Sequence, residues 1–254
     1  MKALRPAERM LVALGIERPD QIDLEAVAWT SGAAVKYRPL DQCEAMIVGT
    51  ARRAIITVNG NALPTRKRFS LAHEIGHWHL HRGRVLVCGA NDIGNLAHRA
   101  LNPENQADQF ASDLILPDYM LRPRVAKMKR PTLSSAREIA DEFKASLTAT
   151  LLSLADRDHF PIIIVCHNRQ RRRWFSRAPM VPGWWFPKDD LDCESLAFEM
   201  LFGGAAESPY PRKIGADAWF EFRGVDRYEV QEQCFLLPNE EVLTLLMLPG
   251  EGLG

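Results

Sequence analysis

The 254-residue sequence predicts an α+β protein in three parts. These are a helical domain with a small sheet over residues 1–130, a helix-turn-helix-like segment over 131–157 and a mixed α/β domain over 158–254. Three observations support this. Short β-branched runs near residues 33–58 lead directly into one long helix that starts at Pro64. Capped, amphipathic helical stretches then follow one another from Asn102 to Asp156. After Phe160-Pro161 the texture changes to strands separated by polar turns.

Composition narrows the possible classes. Hydrophobic residues make up 46% and charged residues 25%, as in an ordinary soluble protein. Lys+Arg and Asp+Glu are equal at 32 each, so net charge predicts no polyanionic partner. The apolar run Met10–Leu14 is interrupted and too short for a signal segment or a membrane span, which argues for the cytoplasm. Cys43, Cys88, Cys166, Cys193 and Cys234 are odd in number and widely spaced, with no C-x-x-C. They are expected to be reduced, structural thiols rather than a disulfide framework or a zinc site.

In chain order, residues 5–16 read as a helix stopped by Gly15, and Asp23 can cap a second that ends at Gly32. Ala33–Tyr37, Ala45–Val48 and Ala54–Val58 read as strands, the last closed by Asn59-Gly60. Pro64 suits the first turn of the next helix, which is apolar on two sides and therefore buried. Gly76 inside it costs about 1 kcal/mol of helix propensity against Ala, so another backbone should approach there. Residues 82–101 read as a loop with Gly83, Gly89 and Gly94.

Asn102-Pro103 then caps a helix running to Leu116, with Ala107, Phe110, Ala111, Leu114 and Ile115 as its inner stripe. The basic stretch Met120–Arg130 reads as helical until Pro131. Thr132 or Ser134 caps a helix with Ala136, Ile139, Ala140 and Phe143 inside, and a second follows with Leu147, Leu151 and Leu154. Ile162–Cys166 and Arg173–Phe175 flank a turn at 168–171. Leu191–Phe202 reads as a helix, and Trp219–Phe222, Tyr228–Phe235 and Val242–Leu248 as strands. Trp174, Trp184 and Trp185 can line a pocket, an interface or the core.

The chemistry centres on His73-Glu74-Ile75-Gly76-His77. Histidines four apart share one helix face, so two imidazoles can bind one metal. Glu74 points beside that metal, where it can take a proton from water, as in zinc peptidases. A four-coordinate catalytic zinc needs a third protein ligand. His81 lies eight residues along the helix from His73, about 12 Å, too far for one ion to bridge the two. Glu104 is the best candidate. It extends the inward stripe of its helix backwards by one turn, where an unpaired carboxylate is costly. The competing reading is a first-turn carboxylate favoured by the helix dipole. Asp108, one turn on, reads either as a partly exposed helix charge or as a carboxylate that orients a ligand histidine.

These residues resemble the ImmA/IrrE-type metallopeptidases. The resemblance rests on Arg68-Phe69-Ser70-Leu71-Ala72-His73-Glu74-Ile75-Gly76-His77 with Leu80-His81, and on Glu104-x-x-Ala107-x-x-Phe110-Ala111-x-x-Leu114-Ile115-x-Pro117. It covers residues 1–117 well and reaches to about 156. It implies a zincin-like first domain and, loosely, a C-terminal sensor-like domain of GAF type. It makes His73, His77 and Glu104 the metal ligands and Glu74 the general base. It also implies cleavage of a separately encoded helix-turn-helix repressor, which switches on a stress, prophage or mobile-element regulon. Zinc suits such ligands, and manganese or iron also accept them. His81, His98 and Tyr119 are candidate oxyanion donors, and Ala54–Val58 can take substrate by strand addition.

Two rival readings stand beside this one. A DNA-binding regulator would need a reading helix with polar or basic side chains. Leu147–Leu154 has no Arg, Lys, Asn or Gln, so direct nucleic-acid binding is not expected. A non-proteolytic anti-repressor would keep the metal and act by binding alone.

Overall fold

The computed structural model describes residues 3–50, 52–82 and 102–250. They divide into two compact units, Met1–Arg124 with Ala140–Ser146, and Val125–Ile139 with Leu147–Gly254. Most of the predicted loop, with Gly83, Cys88, Gly89, Gly94 and His98, lies outside the described residues. No described helix is long and apolar enough to cross a membrane.

The first unit opens with α1 (Pro6–Ala13) and α2 (Leu24–Thr30). Asp23 caps α2 by accepting from the backbone N–H groups of Glu25 and Ala26, as its position predicts. Three strands follow: β1 (Ala33–Arg38), β2 (Ala45–Gly49) and β3 (Ala54–Asn59). They pair in the order β1-β3-β2, with β1 parallel and β2 antiparallel to β3. Alternation sets the faces: Ala54, Ile56 and Val58 are buried, while Met46, Val48 and Ile55 are exposed. This order corrects one expectation. β3 is paired along both edges, so an extended peptide can add only to β1 or β2.

The long helix α3 (Pro64–Leu80) runs from the sheet and is buried continuously from Ser70 to Trp78. Against it lies α4 (Pro103–Ile115), started by Asn102, whose side-chain oxygen accepts from the Glu104 N–H. The two helices approach closely at Gly76. A Cβ there would lie 3.1 Å from Ala107 Cα and 3.2 Å from Phe110 Cβ. The glycine therefore meets the neighbouring backbone that its helix-breaking cost implied. Two polar ties hold α1 to this layer: Arg5 pairs with Asp113 at 2.9 Å, and buried Glu8 accepts from the Asp118 N–H at 2.7 Å. The basic stretch after Pro117 is helical only as α5 (Asp118–Val125), shorter than its composition suggested.

The helix pair is α6 (Leu133–Phe143) and α7 (Leu147–Asp156), joined through Lys144 in a left-handed conformation at φ 53°. Of the two candidate caps, Thr132 accepts from the Ser135 N–H. Five antiparallel strands form the sheet of the second unit in the order β5-β4-β8-β7-β6. They are β4 (Ile162–His167), β5 (Arg172–Arg177), β6 (Arg212–Gly215), β7 (Glu229–Leu237) and β8 (Glu241–Met247). Both faces are covered, so β4 is buried throughout and reads as a continuous apolar run. One face packs Leu133, Ala136, Leu151 and Leu154 against Ile162, Ile164, Leu243 and Leu245. The other packs α8 (Leu196–Phe202) and Trp185, Trp219 and Phe220 against Ile163, Val165 and Leu246.

Two predictions fail here for local reasons. The helix expected from Leu191 begins at Leu196. Before it, Asp192 accepts from the N–H groups of Glu194 and Ser195, forming a turn, and Ser195 then caps α8. The strand expected at Trp219–Phe222 is absent. Ala216–Ala218 forms a 3-10 turn, and Phe220 makes only one isolated bridge, to Pro187. Buried Glu232 holds this corner together, accepting from Leu196 N–H and Trp219 Nε1 at 2.9 Å each.

Candidate metal centre

His73 and His77 lie one turn apart on the buried face of α3, with side chains 0% and 1% exposed. Their rings meet edge to face, with centroids 4.6 Å apart. The two Nε2 atoms are 2.9 Å apart. Glu104, in the first turn of α4, brings Oε2 to 3.2 Å from His73 Nε2 and 3.3 Å from His77 Nε2. One possible ligand atom from each of the three residues lies within 4.8 Å of the others.

The outer ring nitrogens are also engaged. His73 Nδ1 lies 2.8 Å from Asp108 Oδ1. His77 Nδ1 lies 3.1 Å from His81 Nδ1, and His81 Nε2 lies 3.0 Å from Gln106 Oε1. Asp108, which the sequence offered both as an orienting carboxylate and as a partly exposed helix charge, stands against His73. Gln106 escaped sequence reasoning because it lies about 200° around α4 from Glu104, off the inward stripe. Its only local signal is its closeness in sequence to Glu104.

Glu74 follows His73 on α3 and is fully buried. Neither carboxylate oxygen has a hydrogen-bond partner among the described residues. Burial pushes its pKa up, against the charges of His73 and His77, while Glu104 adds to the upward push. At Glu104 burial also favours the neutral acid, but while the two imidazoles carry their Nε2 protons, their hydrogen bonds and charge outweigh it. Its carboxyl is held well below the usual carboxylate range.

This donor set fits a divalent cation. Asp108 Oδ1 can accept from His73 Nδ1–H, and a neutral His73 in that tautomer offers Nε2 as a lone pair beside the Glu104 carboxylate. A second, unpartnered carboxylate is buried beside it. Converging lone pairs and two carboxylates in a low-dielectric site call for positive charge between them.

Neither described candidate for an oxyanion donor faces the three converging atoms. His81 stands behind His77, and Tyr119 donates to the Ile16 carbonyl at 2.6 Å. His98 lies outside the described residues.

Comparison with known proteins points to a metallopeptidase family. The family model for the IrrE N-terminal-like domain, peptidase M78, matches residues 29–154. The radiation response metalloprotease IrrE of Deinococcus radiodurans is 26% identical over 144 residues. That match takes in 54% of this chain and 41% of that protein, so it spans less than half of the relative's length. A solved Mycobacterium tuberculosis transcriptional regulator superposes with a TM-score of 0.58 at 13% identity. The superposition covers 97% of this chain and 87% of that one, and at such identity it speaks for the fold alone.

Proposed function

We propose a peptidase function from one premise: residues 29–154 of this chain belong to the IrrE N-terminal-like peptidase family. The chain is a metal-dependent endopeptidase, in which His73, His77 and Glu104 hold the metal and Glu74 is the general base. The observation that carries this reading is the convergence of the three donor atoms beside the buried, unpartnered Glu74 carboxylate. Zinc suits the two imidazoles and one carboxylate, and manganese or iron would also be accepted. A divalent cation held there supplies Lewis acidity, acidifying water and polarising a carbonyl.

The chain's own residues do the rest. Glu74 accepts a proton from the attacking water and passes it to the leaving amide nitrogen. Its burial raises its proton affinity towards that of a working base. Asp108 fixes the orientation of His73. An extended substrate adds to an outer strand of the first sheet, β1 or β2.

The substrate is a separately encoded helix-turn-helix repressor, whose cleavage derepresses a stress, prophage or mobile-element regulon. Residues 1–130 form the peptidase, 131–157 the helix-turn-helix-like segment and 158–254 a sensor of GAF type. The antiparallel sheet covered on both faces supports that last assignment.

Incubating the metal-loaded protein with the repressor-like product of an adjacent gene tests the reading. A defined cut is expected, and Glu74→Gln should slow it by about 10²–10⁴-fold while keeping the metal. A Glu74→Gln protein that still relieves repression, without cutting, would replace the peptidase with a binding-only anti-repressor.

A further inference from the structure

We infer that His81 and Gln106 are positioning residues that set the tautomer of His77 and so make its Nε2 a metal donor. The inference rests on the metal-centre reading of His73, His77 and Glu104.

The geometry carries a direction. A single proton can lie between His77 Nδ1 and His81 Nδ1, which are 3.1 Å apart. The far nitrogen of His81 faces the side-chain oxygen of Gln106 at 3.0 Å. An amide oxygen only accepts, so His81 Nε2 carries its ring proton and His81 Nδ1 is a lone pair. That lone pair accepts from His77 Nδ1–H. Neutral His77 then presents a lone pair at Nε2, 2.9 Å from His73 Nε2 and 3.3 Å from Glu104 Oε2. Run the other way, with the amide turned to donate, the relay puts a proton on His77 Nε2, and that ring cannot ligate.

His77 and His81 are 2% and 5% exposed, so the imidazole pair is shielded from water, while Gln106 at the far end is exposed. The two imidazoles are therefore oriented differently. A charged carboxylate, Asp108, backs His73, whereas a neutral imidazole–amide relay backs His77. Both lead to α4, which thus supplies one ligand and both orienting acceptors within residues 104–108. His77 becomes the arm of the site that depends on a neutral side chain keeping one orientation.

The test measures zinc affinity of the intact chain by chelator competition, with the visible spectrum of the cobalt-loaded form and circular dichroism as controls. His81→Phe keeps a ring and removes the relay, and should weaken zinc about 10–100-fold. His81→Gln, whose amide oxygen can accept from His77 Nδ1, should restore most of the affinity and the wild-type cobalt spectrum. Gln106→Glu, which only accepts, should bind at least as tightly as the wild type. Wild-type affinity in His81→Phe overturns the inference, as does an equal loss in His81→Phe and His81→Gln, or weaker zinc in Gln106→Glu. A wild-type chain that binds no metal overturns the metal centre itself, a result told apart by the unmutated control. Zinc binding that depends on His81 without any proteolysis leaves the relay standing and removes only the peptidase.

Discussion

Gly76 shows how a single side chain sets the spacing of the centre. It stands one residue before His77, and a Cβ there would meet Ala107 Cα and O at 3.1 Å each. Gly76→Ala gains about 1 kcal/mol of helix propensity, but overpacking against a backbone costs about 1–3 kcal/mol. A net loss of about 1 kcal/mol is expected in urea unfolding, with weaker metal binding as α4 is pushed from α3. Equal or greater stability would mean that the helix pair tolerates a wider gap.

His167 offers a different residue-level test, in the second unit. It is fully buried, and burial pulls its pKa down to about 4, although backbone carbonyls at Lys188 and Asp189 push the other way. The unfolded chain binds that proton near pH 6.5 and the folded chain only near 4. Stability is therefore intact above pH 6.5 and falls as pH drops from 6.5 to 4, by at most about 3 kcal/mol. Denaturant unfolding across that window should show the fall, and His167→Gln should flatten it. A wild-type curve no steeper than the variant's would contradict the assignment.

The helices that build the centre were the most legible parts of the sequence, because caps and periodicity agree there. Asn102, Pro103 and the stripe from Ala107 to Ile115 define α4, and Pro64 with the two-sided apolar pattern defines α3. Those two placements made Glu104 a candidate partner for His73 and His77, while its place in the first turn of α4 also fitted a carboxylate favoured by the helix dipole. What escaped was set by contacts distant in sequence. β6 is four residues, Arg-Lys-Ile-Gly, and acquires its identity only by pairing with Glu229–Glu232. The aromatic run at Trp219 resembles a strand by composition, yet buried Glu232 captures its indole and a 3-10 turn precedes it. β3 was legible as a strand, but its central place in the sheet was not, because edge or centre depends on pairing order.

The cap of α4 yields its own prediction. Asn102→Ala removes the acceptor for the Glu104 N–H and should cost about 1 kcal/mol of stability. Glu104 lies in the turn that frays first, so metal affinity should fall as well. Calorimetric titration measures it, and unchanged affinity would show that other contacts hold that turn.

All three proposed ligands belong to the first unit, so metal removal should act there. A ligand at one hundred times its Kd stabilises the folded state by about 3 kcal/mol. Chelator treatment is accordingly expected to lower the melting temperature, and added zinc to restore it. Leu151, Leu154 and Ala155 of α7 pack into the core of the second unit. The proposed activity should follow the metal held at this centre.

Diffraction from zinc-loaded crystals, measured on either side of the zinc absorption edge, tests that most directly. One anomalous peak per chain is expected, within bonding distance of His73 Nε2, His77 Nε2 and the Glu104 carboxylate. A peak elsewhere, or one bonded to the histidines with Glu104 turned away, would contradict the centre described above.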